Sequence, residues 1–141
     1  MADPLWGGRF TEPPDPRMVR FTGSIDVDMR LLPQDLAVTK AHARTLAAAG
    51  LLEETDVTSI DGACDDILTE WSAGELHPGP GDEDVHTLVE RELTARLGDT
   101  GARIHAGRSR NDLVAQDLRI WCREAALRLV ALTAGLVDVL A

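Results

Sequence analysis

From Val114 to Val139 the chain sets apolar side chains at Val114, Leu118, Trp121, Ala125, Leu129, Leu132, Leu136 and Val139, always three or four residues apart. That spacing keeps them on one face of a helix, so a single rod of about 30 residues and about 45 Å is predicted for 112–141. The shorter helical segments upstream cannot cover such a rod. Leu127, Val130 and Leu140 add apolar surface off the main stripe, so neighbours are expected on more than one side. No Gly, Asn or basic stop closes the pattern before Ala141. The rod is therefore expected to be continued by further sequence or completed by other subunits.

Upstream, the same period recurs in shorter pieces. Pro33 can open a helix whose stripe is Leu36, Ala37, Ala43, Leu46 and Ala47, ending near Gly50. Val57, Ile60, Cys64, Ile67 and Trp71 mark a second before Gly74, and Val85, Leu88, Val89, Leu93 and Leu97 a third before Gly98. Helices are thus predicted at about 33–49, 54–73 and 82–97, the last with Asp82, Glu83 and Asp84 at its exposed N–H groups. Trp71 and Trp121, at stripe positions, read as core. Residues 1–32 hold four of the seven prolines and the Gly7–Gly8 pair, with no period. They read as an irregular arm, anchored through Trp6, Phe10 and Phe21. Residues 98–110, with Gly98, Gly101 and Gly107, read as a loop. The fold class is all-α: a small helical domain over 1–111, then the start of a helical bundle over 112–141.

Charge narrows the function. With 24 acidic and 14 basic residues the net charge is -10, which disfavours nucleic acid, since a polyanion is bound by a cationic face. No apolar run reaches the roughly 20 residues of a membrane span, and the N-terminus has neither the basic flank nor the apolar stretch of a signal peptide. A cytoplasmic location is expected. Cys64 and Cys122 stand apart without metal-ligand spacing, so they read as buried thiols, with no metal and no cofactor expected. Residues 101–111 invert the local charge, containing Arg103, Arg108 and Arg110 and no acid. They end where the rod begins, and Ser109 or Asn111 could cap it. Guanidinium forks at a helix N-terminus form a carboxylate or phosphate site; equally, the arginines could pair with Asp82, Glu83 and Asp84.

The same residues carry a resemblance. Gly107 to Asp112 (GRSRND), with Val114, Ala115 and Asp117 after it, resembles the signature of the argininosuccinate lyase family within the fumarase/aspartase superfamily. Leu5 to Phe10 (LWGGRF), Ser24-Ile25 with Asp28, Lys40 to Arg44 (KAHAR), Asp82 to His86 (DEDVH) with Glu90 and Leu93, and Arg103 to Gly107 (RIHAG) resemble further family blocks in order. The resemblance implies a carbon–nitrogen lyase of arginine biosynthesis that eliminates fumarate from argininosuccinate to leave arginine. It implies substrate contacts from Ser24, Asn111, Ser109, Arg110 and Asp28, with Arg108, His105, His86 and Asp84 supporting. Ser24 and Asp28 could otherwise be turn-formers, and His86 could simply bond Asp82 or Asp84. Lys40 and His42 read as interface or surface groups.

The family's general base histidine and its acid serine lie in downstream segments that have no counterpart here. No catalytic residue is therefore expected in this chain, and no turnover from it alone. The resemblance further implies a homotetramer whose active sites are shared between subunits. Leu113 and Gln116 replace the family's usual Gln and Thr, which could shift preference toward another N-substituted succinate. The remaining alternatives are a sister lyase and a non-catalytic, crystallin-like or pseudo-subunit scaffold.

Overall fold

The computed structural model describes residues 15–141, and these are helical without strands. In chain order the helices are α1 (Pro16–Thr22), α2 (Ile25–Asp28), α3 (Leu32–Ala48), α4 (Glu54–Ala73), α5 (Val85–Leu97), α6 (Asp99–Ala102) and α7 (Arg110–Leu140). Single 3-10 turns at Met29–Leu31 and Arg103–His105 lead out of α2 and α6.

The core lies where α3, α4 and α5 pack together. Leu32, Leu36, Ala43 and Leu46 meet Ile60, Cys64 and Ile67 of α4 and Val85, Leu88 and Leu93 of α5, closed by Ile104 from the 3-10 turn after α6. Each helix turns its three-and-four stripe inward, except that Ala37, expected on the stripe of α3, is exposed because Asp35, Leu36 and Thr39 take the inner face; helix ends are satisfied locally. Glu53 and Asp56 form a reciprocal capping box at the start of α4, and Gly74, at φ 75°, ends it in a left-handed turn that a Cβ would strain. Helix α7 is joined to this body only over its first turns. Leu113 and Asp117 are its buried residues, and the Gln34 amide donates to Glu124 Oε2 at 2.6 Å. Beyond Glu124 the rod runs free of the core.

Several expectations need correction. Within the segment 1–32 read as an irregular arm, the described residues form α1, α2 and the 3-10 turn at Met29–Leu31, with a break at Gly23 and Ser24. Asp15 caps α1 by accepting from the Arg17 N–H at 2.8 Å, with Pro16 in its first turn. These helices are too short to show a period, which is why the pattern was silent. Phe21 does not anchor the arm, being 84% exposed, whereas Ile25 and Met29 pack on the core. Trp6, Phe10 and the LWGGRF block lie outside the described residues. The segment 98–110, read as a loop, contains α6 and a 3-10 turn. Helix α5 begins at Val85, because Asp82 turns away to accept from Gly79 N–H at 2.7 Å and from the Arg91 fork. Cys64 is buried but Cys122 is exposed, and Trp121 stands half-exposed on the rod instead of in the core.

Candidate functional site

The N-termini of α5 and α7 meet beside the short helices α1 and α2. The N–H groups of Ser24 and Ile25 both donate to the Glu83 carbonyl, at 2.7 and 3.1 Å, which fastens the start of α2 to the segment entering α5. The Ser24 hydroxyl donates to Asp28 Oδ2 at 2.6 Å, and Asp28 Oδ1 accepts from the Val85 N–H at 3.0 Å. One residue earlier, Asp84 Oδ1 caps α5 through the Thr87 N–H and hydroxyl, both at 2.7 Å. The same oxygen accepts from Arg110 Nη1 at 2.9 Å. Ser24, Asp28, Asp84 and Arg110 are thereby brought into one bonded row, and Ser109 and Asn111 flank Arg110 in sequence.

Ser109 caps α7. Its hydroxyl accepts from the Asn111 N–H at 3.1 Å while its own N–H donates to Asp112 Oδ2 at 2.9 Å. Losing the serine oxygen leaves the Asn111 N–H without its partner, so Ser109→Ala is expected to cost about 1 kcal/mol of stability in urea unfolding. The side chains of Ser109 and Asn111 are otherwise exposed.

The three arginines of the charge-inverted stretch do not share one pocket. Arg103 turns to Asp56 at 3.4 Å and to the Leu51 carbonyl. Arg110 takes up Asp84, so the pairing with the 82–84 acids is realised for this one arginine. Among the described residues only its Nη1 is bonded, which leaves the rest of the fork for a ligand. Arg108 is part-buried and, among the described residues, reaches only the Thr39 hydroxyl, at 3.5 Å. Burial disfavours its charge, and the carboxylates of Asp35, Glu90 and Asp117 oppose that effect. His105 stands 3.5 Å from Glu90, away from the bonded row. Lys40 pairs with Asp65 at 2.6 Å, and His42 Nε2 donates to the Ala106 carbonyl at 2.8 Å, tying α3 to the turn before α7. An open cleft of about 400 Å³ between α3 and α7 is lined by Val38, His42, Arg108 and Arg119, among others, and shares only Arg108 with the predicted set.

His86 bonds neither Asp82 nor Asp84. It points inward, and its Nδ1 donates to Asp35 Oδ2 of α3 at 2.5 Å. Burial alone would lower its pKa, but the hydrogen bond and charge of Asp35, with Asp84 and Asp117 behind it, outweigh that and raise it. Asp117 completes this buried group, its Oδ2 3.7 Å from the same nitrogen. Desolvation, reinforced by the charge of Asp35, pushes the Asp117 carboxyl up to about 7. Asp35, His86 and Asp117 could each offer an atom to a cation, all within 4.8 Å of one another. With the proton on Nδ1 donated to Asp35, however, the His86 ring has no lone pair at that nitrogen to offer an ion. Arg108 also faces the same carboxylates. The group suits proton sharing.

Asp35 and Thr39 went unnoticed in the sequence, yet a signal was there. They stand four apart in line with Ala43, polar residues on an apolar stripe.

Comparison with known proteins adds the rest. The family described as lyase matches residues 8–141. Argininosuccinate lyase of Acidothermus cellulolyticus is 47% identical over 97% of this chain, which spans 29% of that protein. The argininosuccinate lyases of Trichlorobacter lovleyi and Thioalkalivibrio sulfidiphilus are 43% and 45% identical over 95% and 97% of the chain, or 29% and 30% of those proteins. The chain thus spans under a third of the length of these curated relatives.

Proposed function

The chain belongs to the lyase family, and from that premise we propose that it supplies one wall of an argininosuccinate lyase site, the protein as a whole eliminating fumarate from argininosuccinate to release arginine. In such an elimination a base removes the proton beside a carboxylate, and the electron pair moves into that carboxylate before the C–N bond breaks. Donors already aimed at the carboxylate stabilise the charge as it develops. Ser109, Arg110 and Asn111 at the mouth of α7 take this role for the succinate part, with Ser24 and Asp28 beside them and Asp84 orienting Arg110. Arg108, His86 and His105 support from behind. The family resemblance assigns the general base and acid to segments that have no counterpart among these 141 residues.

The observation that carries the reading is the bonded row itself, which links Ser24 and Asp28 through the start of α5 to Arg110 at the start of α7. Residues about 85 apart in sequence are joined there at two helix N-termini, a setting suited to an anion. Charge-assisted hydrogen bonds contribute about 1.5 to 3 kcal/mol, so Arg110→Ala is expected to weaken fumarate binding about 10- to 100-fold in calorimetry. Arg17→Ala, removing an exposed arginine bonded to Asp15 alone among the described residues, should leave it unchanged. Equal effects would reject the assignment.

The apolar end of α7 supports a second part of the proposal, that residues 112–141 belong to a helical bundle made with other copies in a homotetramer. Leu127, Leu129, Leu132 and Leu136 are 58 to 71% exposed, and Val139 83%. A patch of this kind needs cover in water. Sedimentation is expected to show self-association, which Leu129→Glu with Leu136→Glu should abolish; a clean monomer of the unaltered chain would contradict the bundle. No helix among the described residues is long and apolar enough to cross a membrane. A cytoplasmic location is a separate part of the proposal.

A further inference from the structure

Two buried polar groups of opposite kind stand without partners behind the candidate site. Asp117 is 0% exposed and, among the described residues, neither of its carboxyl oxygens receives a hydrogen bond, while the Nε–H of Arg108, in the same cluster, has no acceptor there. A buried acceptor and a buried donor left unmatched are costly, and each of these two groups feels the charge of the other without pairing with it. What separates them is a competing arrangement. Asp117 lies against Asp35, which already accepts from His86 and from the Thr39 hydroxyl at 3.2 Å, and Arg108 leans on that same hydroxyl.

We propose that Asp117 is a positioning residue whose proton selects the partner of Arg108: protonated, it bonds Asp35 and leaves Arg108 on Thr39; ionised, it draws the Arg108 guanidinium onto itself. In the first state the proton ties α7 to α3, and through His86 to α5. In the second, the proton passes to water and an ion pair replaces it. Arg108 immediately precedes the Ser109 cap and Arg110, so its move shifts the turn that presents Ser109, Arg110 and Asn111. The titratable groups facing the cluster are Asp35 from α3, His86, Asp84 and Glu90 from α5, and Arg108 and Arg110 from the entry to α7. Burial and the Asp35 charge set the exchange near pH 7, in the range where a small change of conditions moves it.

The test follows the Arg108 Nε–H by nitrogen-15 NMR of the 141-residue chain between pH 5.5 and 8.5. In the unaltered chain its resonance should shift, and its exchange with water slow about tenfold, with one midpoint near 7. Asp117→Asn, which keeps the shape and can still donate to Asp35, should remove that transition while the His86 ring stays bonded to Asp35. Thr39→Val, which deletes the competing acceptor, should lower the midpoint by about half a unit. An unaltered chain without the transition, its persistence in Asp117→Asn, or an unmoved midpoint in Thr39→Val would each overturn the proposal. If Asp117→Asn does not fold, the Thr39→Val arm decides alone.

The consequence for binding rests on the dicarboxylate reading. Fumarate affinity should fall as pH rises through the transition, because the ionised cluster adds negative charge behind the site, and should lose that dependence in Asp117→Asn. A chain that never binds fumarate would end the dicarboxylate reading, while the Arg108 transition would still decide this one.

Discussion

Gly101→Ala is expected to lower the unfolding free energy by about 3 kcal/mol or more, and the melting temperature by roughly 10 °C, because the added carbon has nowhere to go. A Cβ built on Gly101 falls 2.2 Å from the carbonyl oxygen of Leu93, 2.4 Å from its carbonyl carbon and 2.7 Å from the Thr94 nitrogen. These are backbone atoms inside α5, whose helical hydrogen bonds prevent them from yielding, so α6 must lift. Lifting it withdraws Ile104, 0% exposed, from the core, and strains the bond from the Thr100 hydroxyl to Asp56 at 3.0 Å. Gly135→Ala provides the contrast. It sits inside α7 with nothing within 4 Å of its added carbon, so the alanine should be neutral or stabilising by up to about 1 kcal/mol. Urea unfolding of the two variants in parallel checks the close approach, and equal effects would refute it.

Asp35→Ala should be at least as damaging, about 3 to 5 kcal/mol, because it leaves buried cationic groups without their carboxylate. Asp35 is 1% exposed and holds both His86 and Thr39. Asp26→Ala, an exposed acid, should be silent, and a comparable loss there would remove the argument. The same cluster sets a pH dependence whose sign is fixed by two raised values. The folded pKa of Asp117 is raised to about 7 from 3.8, and that of His86 is raised above 6.5. The folded state therefore binds these protons more tightly than the unfolded chain does. Their stabilisation is fully present below the unfolded values and is lost as pH rises through the folded ones. Between pH 5.5 and 8 the Asp117 contribution is about 2 kcal/mol. Burial lowers the pKa of His42, which acts in the opposite direction below about 6.5. Unfolding free energies at pH 5.5 and 8 should differ less in Asp117→Asn than in the unaltered chain; an unchanged difference would mean that Asp117 is not the group responsible.

The apolar stripes of α3, α4, α5 and α7 were legible because each runs for three turns or more, long enough for the period to emerge from the residue order. The Ser109 cap was legible for a related reason, since capping is a matter of a few consecutive residues. The helices α1 and α2 and the turns of 99–105 were not. They are a turn or two long, and neighbours decide their conformation: the Glu83 carbonyl receives both N–H groups at the start of α2, and Gly101 permits α6 to lie on Leu93. For the candidate site, the residue types and their order along the chain were visible, but the direction of each guanidinium was not. Arg103, Arg108 and Arg110 read alike in a charge-inverted stretch, yet they reach Asp56, Thr39 and Asp84 respectively.

Residue order by itself determined that this protein is a set of amphipathic helices ending in a rod with too much apolar surface for one small domain, and that its cationic residues gather where the rod begins. Those are consequences of spacing along the chain, and spacing needs no partner. Only the tertiary structure decided that Asp35, His86 and Asp117, on three different helices, close into one buried group behind Arg110. Whether a buried charge is tolerated depends on what faces it across the core, and a list of residues does not contain that distance.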